Sequence, residues 1–359
     1  MKAEEIKVEG WRKVVRFTDE ATGLDAIVSV HDATLGPGCG GCRVRAYESF
    51  QTALDDVKRL SRGMTFKNAL GGIPFGGGKA VIIADPKTQK TEALMRAFGR
   101  AVDSLEGLYY TAEDSGVTEY DLEIIREETK YAAGIAKGGV GGNPSPFTAR
   151  GVLRGIEAAA KARLGVNDLD GLSVAVLGVG AVGMALCEYL HEAGAKLVVA
   201  DINEAAVKEA TRRFGAEAAA PDDCVAADVD IFSPCALGGA INADSIERLK
   251  AKAVAGTANN QLFTPEMDKA LMEKGVLYAP DYVINAAGVI SVGLEILGEW
   301  TADGLTHRID AIGPRLAAIF ERSAREQRPT GEIADQMAME IINKARAAAG
   351  RGAALGAFA

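Results

Sequence analysis

Apolar positions recur in two different rhythms along the first third of the chain. From Lys13 to Asp32 the run KVVRFT, a turn and LDAIVSVHD predict two strands joined through Ala21-Thr-Gly, and Arg43–Tyr47 reads as a third. The rhythm then changes to steps of three and four. Ala53, Val57, Leu60 and Met64 form an apolar stripe with Asp55, Asp56, Lys58 and Arg59 on the other faces, which predicts a helix that delivers Lys67 at its end. After the tract Gly71–Gly78, Lys79 opens a short apolar strand, Ala80–Ala84, stopped by the Asp85-Pro86 turn. Leu94, Phe98, Ala101 and Leu105 mark another helix, and Leu108–Ala112 another strand that ends in Glu113-Asp114.

The segment from Gly138 to Pro146 interrupts both rhythms. Its glycines free the backbone and its two prolines stop flanking helices, so it reads as a hinge. Beyond it the alternation is regular: a helix from about Thr148, strand Ser173–Leu177, a helix from Val182, strand Lys196–Ala200, helix Glu204–Phe214, and strands at Asp230–Phe232, Ala253–Ala255 and Val276–Tyr278. Such alternation predicts a parallel sheet covered on both faces. The expected architecture is α/β in two domains with a cleft between them: residues 1–143 with a mixed sheet, and residues 144–325 with a doubly wound parallel sheet. Helical segments Arg308–Arg325 and Glu332–Ala347 lie past the last strand, so the end of the chain, from about 326, is expected to return onto the first domain. The alanine-rich stretch Ala347–Ala359 reads as a frayed tail.

Composition narrows the function. A chain of 359 residues has room for two domains, and a formal charge of −9 without any Lys/Arg block argues against a nucleic-acid partner. The longest uncharged run, Gly171–Cys187, is too short and too glycine-rich to span a bilayer, so no membrane partner is expected. Charges in Met1-Lys-Ala-Glu-Glu occupy the place of a signal peptide's apolar core, which predicts a cytoplasmic protein. Five cysteines are too few for a disulfide scaffold.

Gly178-Val179-Gly180-Ala181-Val182-Gly183 follows the strand Val174–Leu177 and opens a helix, the context that a dinucleotide-binding fingerprint requires. Two glycines permit the tight turn and close approach of a pyrophosphate to backbone N–H groups, and the third lets helix and strand pack closely. Asp201 ends the next strand, where a carboxylate accepts both ribose hydroxyls of NAD and repels a 2′-phosphate. The cofactor expected is therefore NAD.

Lys67 and Lys79 flank the glycine tract in apolar surroundings, with Asp114 at a strand end in the same domain. On spacing alone two readings stand: surface lysines on a loop, or an anion pocket facing the cofactor. In the second, one ammonium holds a substrate carboxylate, the other, desolvated beside a like charge, serves as general base, and Asp114 shuttles protons.

The chain resembles the amino-acid dehydrogenases of the glutamate/leucine/phenylalanine/valine group, most of all leucine and phenylalanine dehydrogenases. The likeness extends from about Asp32 to Gly293 and is carried by Leu35–Arg43 (LGPGCGGCR), Leu60–Lys67 (LSRGMTFK), Gly76-Gly-Gly-Lys79, Ala112-Glu-Asp114, Gly142–Thr148 (GNPSPFT), Ala255–Gln261 (AGTANNQ) and Asn285-Ala-Ala-Gly288. The resemblance implies that Lys67 binds the substrate α-carboxylate, that Lys79 activates the water attacking an imine, and that Asp114 relays protons. It implies Asn260 at the substrate amino group or carboxylate, Thr148 and Asn259 near the nicotinamide and its ribose, and a side-chain pocket of Cys39, Met64, Val289 and Val292 with Gly40 and Gly41 as its backbone wall. The implied reaction is reversible oxidative deamination of an L-amino acid to a 2-oxo acid and ammonia, in a homo-oligomer (dimer or octamer) assembled through the N-terminal domain. The uncharged pocket favours branched aliphatic side chains. Glutamate dehydrogenases place a lysine where Cys39 stands, and an unpaired buried charge is costly. Two departures stand out: leucine dehydrogenases usually carry a larger apolar residue at the place of Cys39, which leaves room for an aromatic ring, and Ala287 replaces a usual glycine.

Other signals point elsewhere. Cys39-Gly-Gly-Cys42 is formally a C-x-x-C, yet no second pair completes a zinc site and it runs into a strand rather than a helix. His31, His191 and His307 are too scattered for a metal site. Cys187 reads as packing, and Glu123–Glu128 and Glu321–Arg328 as solvated faces. A 2-hydroxyacid dehydrogenase would want a catalytic His or Arg near the cofactor, which the lysine pair with Asp114 argues against. A non-catalytic NAD-binding relative, or one like the ornithine-cyclising deaminases, is disfavoured by the presence of both Lys79 and Asp114.

Overall fold

The computed structural model describes residues 1–135, 144–236 and 238–356, with side chains to residue 349, so residues 138–143 of the expected hinge Gly138–Pro146 lie outside the described residues. The chain divides into two compact units. Among the described residues, the first takes those of Met1–Gly142, Val289–Ala302 and Ala338–Ala359, and the second those of Asn143–Gly288 and Asp303–Met337. Val289–Ala302, counted with the second domain on sequence, thus groups with the first.

The first unit opens with strands β1 (Lys2–Glu5), β2 (Lys13–Asp19), β3 (Leu24–Val30), β4 (Gly38–Cys39) and β5 (Cys42–Arg45). Helix α1 (Phe50–Gly71), strand β6 (Gly76–Ile83), helix α2 (Glu92–Asp103), strand β7 (Tyr109–Tyr110) and helix α3 (Glu119–Glu128) follow. The sheet is mixed, in the order β1-β2-β3-β6-β4-β7, with β5 also paired to β6. β1 to β3 and β6 pair antiparallel, whereas β4 and β5 run parallel to β6.

Local chemistry sets the bounds of α1. Ser49 caps its start by accepting the Thr52 N–H at 3.1 Å while the Thr52 hydroxyl accepts the Ser49 N–H at 3.1 Å. Gly72 ends it in the left-handed region at φ 68°. Lys67 accordingly lies within the last two turns of α1 rather than at its end.

The glycine tract differs from its sequence reading. Gly76, Gly77 and Gly78 are strand residues, and Lys79 sits inside β6 instead of opening it. A Cβ on Gly77 would lie 2.0 Å from Thr65 Oγ1 and 2.4 Å from Ser61 O, so these glycines let α1 lie directly on the strand. In α3 the run Glu123–Glu128 is solvated only in part, because Ile124 and Ile125 are buried in the core.

The second unit comprises α4 (Ser145–Leu164), β8 (Ser173–Leu177), α5 (Ala181–Glu192), β9 (Lys196–Ala200), α6 (Glu204–Phe214), β10 (Glu217–Ala218) and α7 (Pro221–Val225). It continues through β11 (Ile231–Pro234), α8 (Ala243–Arg248), β12 (Ala253–Val254), α9 (Glu266–Glu273), β13 (Leu277–Tyr278) and α10 (Asp281–Ile284). All its strand pairs are parallel, in the order β10-β9-β8-β11-β12-β13. Counted from β8 this is 3-2-1-4-5-6, the dinucleotide-binding order whose direction reverses between β8 and β11.

Four helices close the chain: α11 (Ala287–Leu297), α12 (Ala302–Asp310), α13 (Ile312–Glu326) and α14 (Thr330–Gly356). α14 continues as helix into the stretch expected to fray. No helix among the described residues is long and apolar enough to cross a membrane.

Candidate active site

Within the first unit, three elements converge on one carboxylate. Asp114 follows β7, and its Oδ2 lies 2.8 Å from Lys79 Nζ on β6 and 3.1 Å from Arg43 Nε on β5. Lys79 is only 6% exposed. Burial raises the proton affinity of Asp114, but the Lys79 ammonium and the Arg43 guanidinium outweigh it and hold the carboxyl below the usual range. The close partner of Lys79 is thus a carboxylate, whereas the sequence suggested a neighbouring like charge.

The glycines Gly40 and Gly41 run alongside this group. A Cβ on Gly41 would lie 2.3 Å from Glu113 O and 2.9 Å from Asp114 Cβ, and one on Gly40 would lie 2.1 Å from Gly78 O and 3.0 Å from Met64 Cγ. Only glycine permits this approach, which brings Met64, Gly40, Gly41 and Asp114 together. Buried Tyr109 donates its hydroxyl to Gly40 O at 2.6 Å and fixes that peptide. Lys67 is half-buried, on the same helix as Met64.

Cys39 is fully buried, and burial pushes its thiol up to about 12. Cys42 is buried as well and shifts in the same direction for the same reason, so neither thiol of the C-x-x-C is poised as a thiolate. Val289 and Val292 are half-buried on α11. That helix packs on the end of α1 and the following turn, for a Cβ on Gly71 would meet Ile290 at 3.7 Å, and one on Gly293 would meet Ile73 at 3.1 Å. Val292 Cγ2 lies 3.7 Å from the Cβ position of Gly134.

In the second unit the fingerprint glycines separate into three physical cases. Gly178 has φ 103°, and a Cβ there would lie 2.7 Å from Ala236 N. A Cβ on Gly183 would strike Gly178 O at 2.0 Å, so it is the close-packing glycine between α5 and the loop. At Gly180 φ is −67° and nothing in the protein lies within 4 Å of a Cβ, so neither conformation nor packing calls for glycine. The open space there leaves the backbone at the N-terminus of α5 accessible to close approach by an anion of the kind a pyrophosphate is. Val179, Ala181 and Val182 complete the turn, and the Val179 N–H is held at 2.8 Å by Asp201 Oδ2. Asp201 Oδ1 accepts the Asn203 N–H at 2.8 Å. The donor set fits a dinucleotide.

Near the C-terminal end of β12, Asn259 Oδ1 accepts the Asn285 amide at 2.8 Å, and Asn285 also donates to Thr257 O at 3.1 Å. Asn260 stands in the left-handed region at φ 51°, a conformation that asparagine tolerates better than most residues. Thr148 lies in the first turns of α4. The methyl of Ala287 faces α4, 3.6 Å from where a Cβ on Gly151 would stand. The contacts of Arg43 and Asn285 were not legible in the sequence, because each joins segments far apart in the chain.

Comparison with known proteins adds matches to families, to relatives and to a solved structure. Residues 11–131 match the family described as Glu/Leu/Phe/Val dehydrogenase, dimerisation domain, and residues 199–352 match Glutamate/Leucine/Phenylalanine/Valine dehydrogenase. The leucine dehydrogenase of Bacillus subtilis (strain 168) is 48% identical over 337 residues, 94% of this chain and 92% of that protein. The phenylalanine dehydrogenase of Bacillus thermotolerans is 46% identical over 298 residues, 81% of this chain and 78% of that protein. The crystal structure of L-tryptophan dehydrogenase from Nostoc punctiforme superposes with a TM-score of 0.84 at 42% identity, over 94% of this chain and 97% of that one.

Proposed function

Because the chain belongs to the Glu/Leu/Phe/Val dehydrogenase family, and is thus an NAD(P)-dependent amino-acid dehydrogenase, we propose that it carries out reversible oxidative deamination of a hydrophobic L-amino acid of the leucine, valine or isoleucine type. L-amino acid, NAD and water give 2-oxo acid, ammonia, NADH and a proton. The observation that carries this is the buried contact of 2.8 Å between Lys79 and Asp114 beside the Gly40–Gly41 backbone.

Lys67 holds the α-carboxylate as a point charge, and Asn260 holds the amino group or the carboxylate. NAD, when bound, would supply the acceptor for the α-carbon hydride. Lys79 takes a proton from the water that attacks the resulting imine carbon, and Asp114 passes protons onward. The new C–O bond forms, the C–N bond breaks, and the nitrogen leaves as ammonia with a proton returned through the same pair. Such a relay needs a fixed distance and little bulk water, which the burial of Lys79 supports.

Gly178 to Gly183 and Asp201 would hold the dinucleotide, with Thr148 and Asn259 near the nicotinamide and its ribose. The Asp201 carboxylate favours NAD over NADP by accepting ribose hydroxyls and repelling a 2′-phosphate. Cys39, Met64, Val289 and Val292, with the Gly40–Gly41 wall, form an uncharged side-chain pocket; the small Cys39 makes phenylalanine the second candidate. The similarity of residues 11–131 to a dimerisation domain supports a homo-oligomer built through the first unit. The test is stoichiometric release of ammonia and NADH from L-leucine, L-valine or L-isoleucine, with no such release from L-glutamate.

A further inference from the structure

The guanidinium of Arg43 bridges two carboxylates. Its Nε donates to Asp114 Oδ2 at 3.1 Å, and its Nη1 donates to Asp56 Oδ2 on α1 at 3.2 Å. Asp56 is itself held from two further sides, by the Tyr47 hydroxyl at 2.8 Å and by Arg59 Nη2 at 2.7 Å. Arg43, Asp56 and Asp114 are all mostly buried, with side-chain exposures of 17%, 14% and 20%. Nothing in the sequence motifs assigns this bridge a task.

We propose that Arg43 is a positioning residue for the Lys79–Asp114 pair: clamped by Asp56, it holds the Asp114 carboxylate against Lys79 throughout turnover. This presupposes the deamination proposed above and goes one step deeper into it. Lys79 and Arg43 meet the same oxygen, Oδ2, so a single rotamer of Asp114 serves both. In the proposed cycle Lys79 changes charge as it takes and returns protons, and with each change its pull on Asp114 is altered. An arginine keeps its charge across the working pH range, so Arg43 supplies the constant part of the field and cannot divert the proton. Its planar fork reaches both carboxylates at once, which a lysine ammonium does not do with the same geometry.

The charged and titratable groups around Asp114 are Lys79 on β6, Arg43 on β5 with Asp56 behind it, the adjacent Glu113, and the buried Cys42 and Tyr109, whose burial keeps them neutral. Among these only Lys79 and Arg43 favour the anion. Without Arg43 a buried carboxylate would keep one cationic partner, and its proton affinity would rise.

The test compares wild type, Arg43→Gln and Arg43→Lys by two readouts. Amino-acid oxidation as a function of pH should show, in Arg43→Gln, kcat lower by about tenfold or more with KM for NAD unchanged, and an acid limb moved up by about one pH unit. Arg43→Lys should restore the acid limb but only part of kcat. Infrared difference spectra should place the Asp114 carboxylate titration, identified by its loss in Asp114→Asn, at higher pH in Arg43→Gln than in wild type. A loss of kcat with both titrations unmoved would reduce Arg43 to a structural residue, and wild-type kcat in Arg43→Gln would overturn the proposal outright. The infrared titration reports on Arg43 even if the wild type oxidises no amino acid, an outcome that would overturn the deamination instead.

Discussion

Lys79 Nζ and Asp114 Oδ2 stand 2.8 Å apart, on a strand and on the segment after another strand of the same sheet, with the lysine almost wholly buried. Burying an ammonium is costly unless a counter-charge meets it, and here the counter-charge is the only group through which protons are proposed to leave it. Replacing Lys79 by Ala should lower kcat for amino-acid oxidation by about 100-fold or more, as loss of an acid–base group does. Asp114→Asn should lower it by a similar factor. NADH binding, followed by fluorescence, should persist in both variants. Turnover close to wild type in Lys79→Ala would contradict the proposed role.

Asp201 connects the fingerprint loop to cofactor choice. One oxygen holds the Val179 N–H and the other the Asn203 N–H, both at 2.8 Å, so the carboxylate is oriented by the protein itself. The wild type should prefer NAD to NADP by about 100-fold in kcat/KM, a discrimination of the size expected when a phosphate must approach a fixed anion. Asp201→Ser should shrink that ratio at least about tenfold. An unchanged ratio would move the origin of the preference elsewhere.

A buried acid in the second unit makes stability depend on pH. Asp268 is 6% exposed; burial, with Glu332 and Asp335 adding to it, pushes its carboxyl up to about 6 against the opposing Gly331 N–H and Thr330 hydroxyl. Thr330 Oγ1 lies 2.7 Å from Tyr278 O and 3.3 Å from Asp268 Oδ1, so its single proton serves the carbonyl better, and a protonated Asp268 can donate to it in turn. A carboxyl whose folded value exceeds its unfolded one stabilises the fold below the unfolded value and loses that contribution as pH rises through the folded one. Stability from this site should therefore decline between about pH 4 and pH 6, by about 3 kcal/mol in total. Asp268→Asn removes the ionisation and keeps an acceptor for Gly331. Thermal melts should show Tm of Asp268→Asn gaining on wild type from pH 4 to pH 7; a constant difference would contradict the assignment.

Gly77 tests how α1 is seated over β6. A methyl there would lie 2.0 Å from Thr65 Oγ1 and 2.4 Å from Ser61 O, one of them backbone, so the helix must move. Gly77→Ala should cost about 3 kcal/mol or prevent folding, the upper range of overpacking. Gly63→Ala, on the same helix with nothing within 4 Å of the new methyl, should be neutral or stabilising in the same melts.

The legible parts of the sequence are those in which one short segment contains its own explanation. Gly178, Gly183 and Asp201 were recognisable because turn, helix start and strand end follow one another within a single β-α-β unit. The tract Gly76–Gly78 carries no strand signal of its own, because glycine is depleted in strands; its strand character comes from α1 lying on it, which no local pattern encodes. β1 gives no strand signal because Lys2–Glu5 is exposed and charged, and β4 and β10 give none because two residues carry no periodicity. At the site, Lys67, Lys79 and Asp114 stood out by chemical type, whereas Arg43 gains its meaning only from Asp56 and Asp114, brought to it by tertiary folding.

Deamination through Lys79 and Asp114 is tested by following NADH oxidation with 4-methyl-2-oxopentanoate, 3-methyl-2-oxobutanoate, phenylpyruvate and 2-oxoglutarate, each with and without ammonium. The proposed chemistry predicts oxidation that requires ammonium, is fastest with the two branched acids and is absent with 2-oxoglutarate. Preference for phenylpyruvate would instead assign the room beside Cys39 to an aromatic ring. Oxidation that proceeds equally well without ammonium, or none with any acid, would contradict deamination by Lys79 and Asp114.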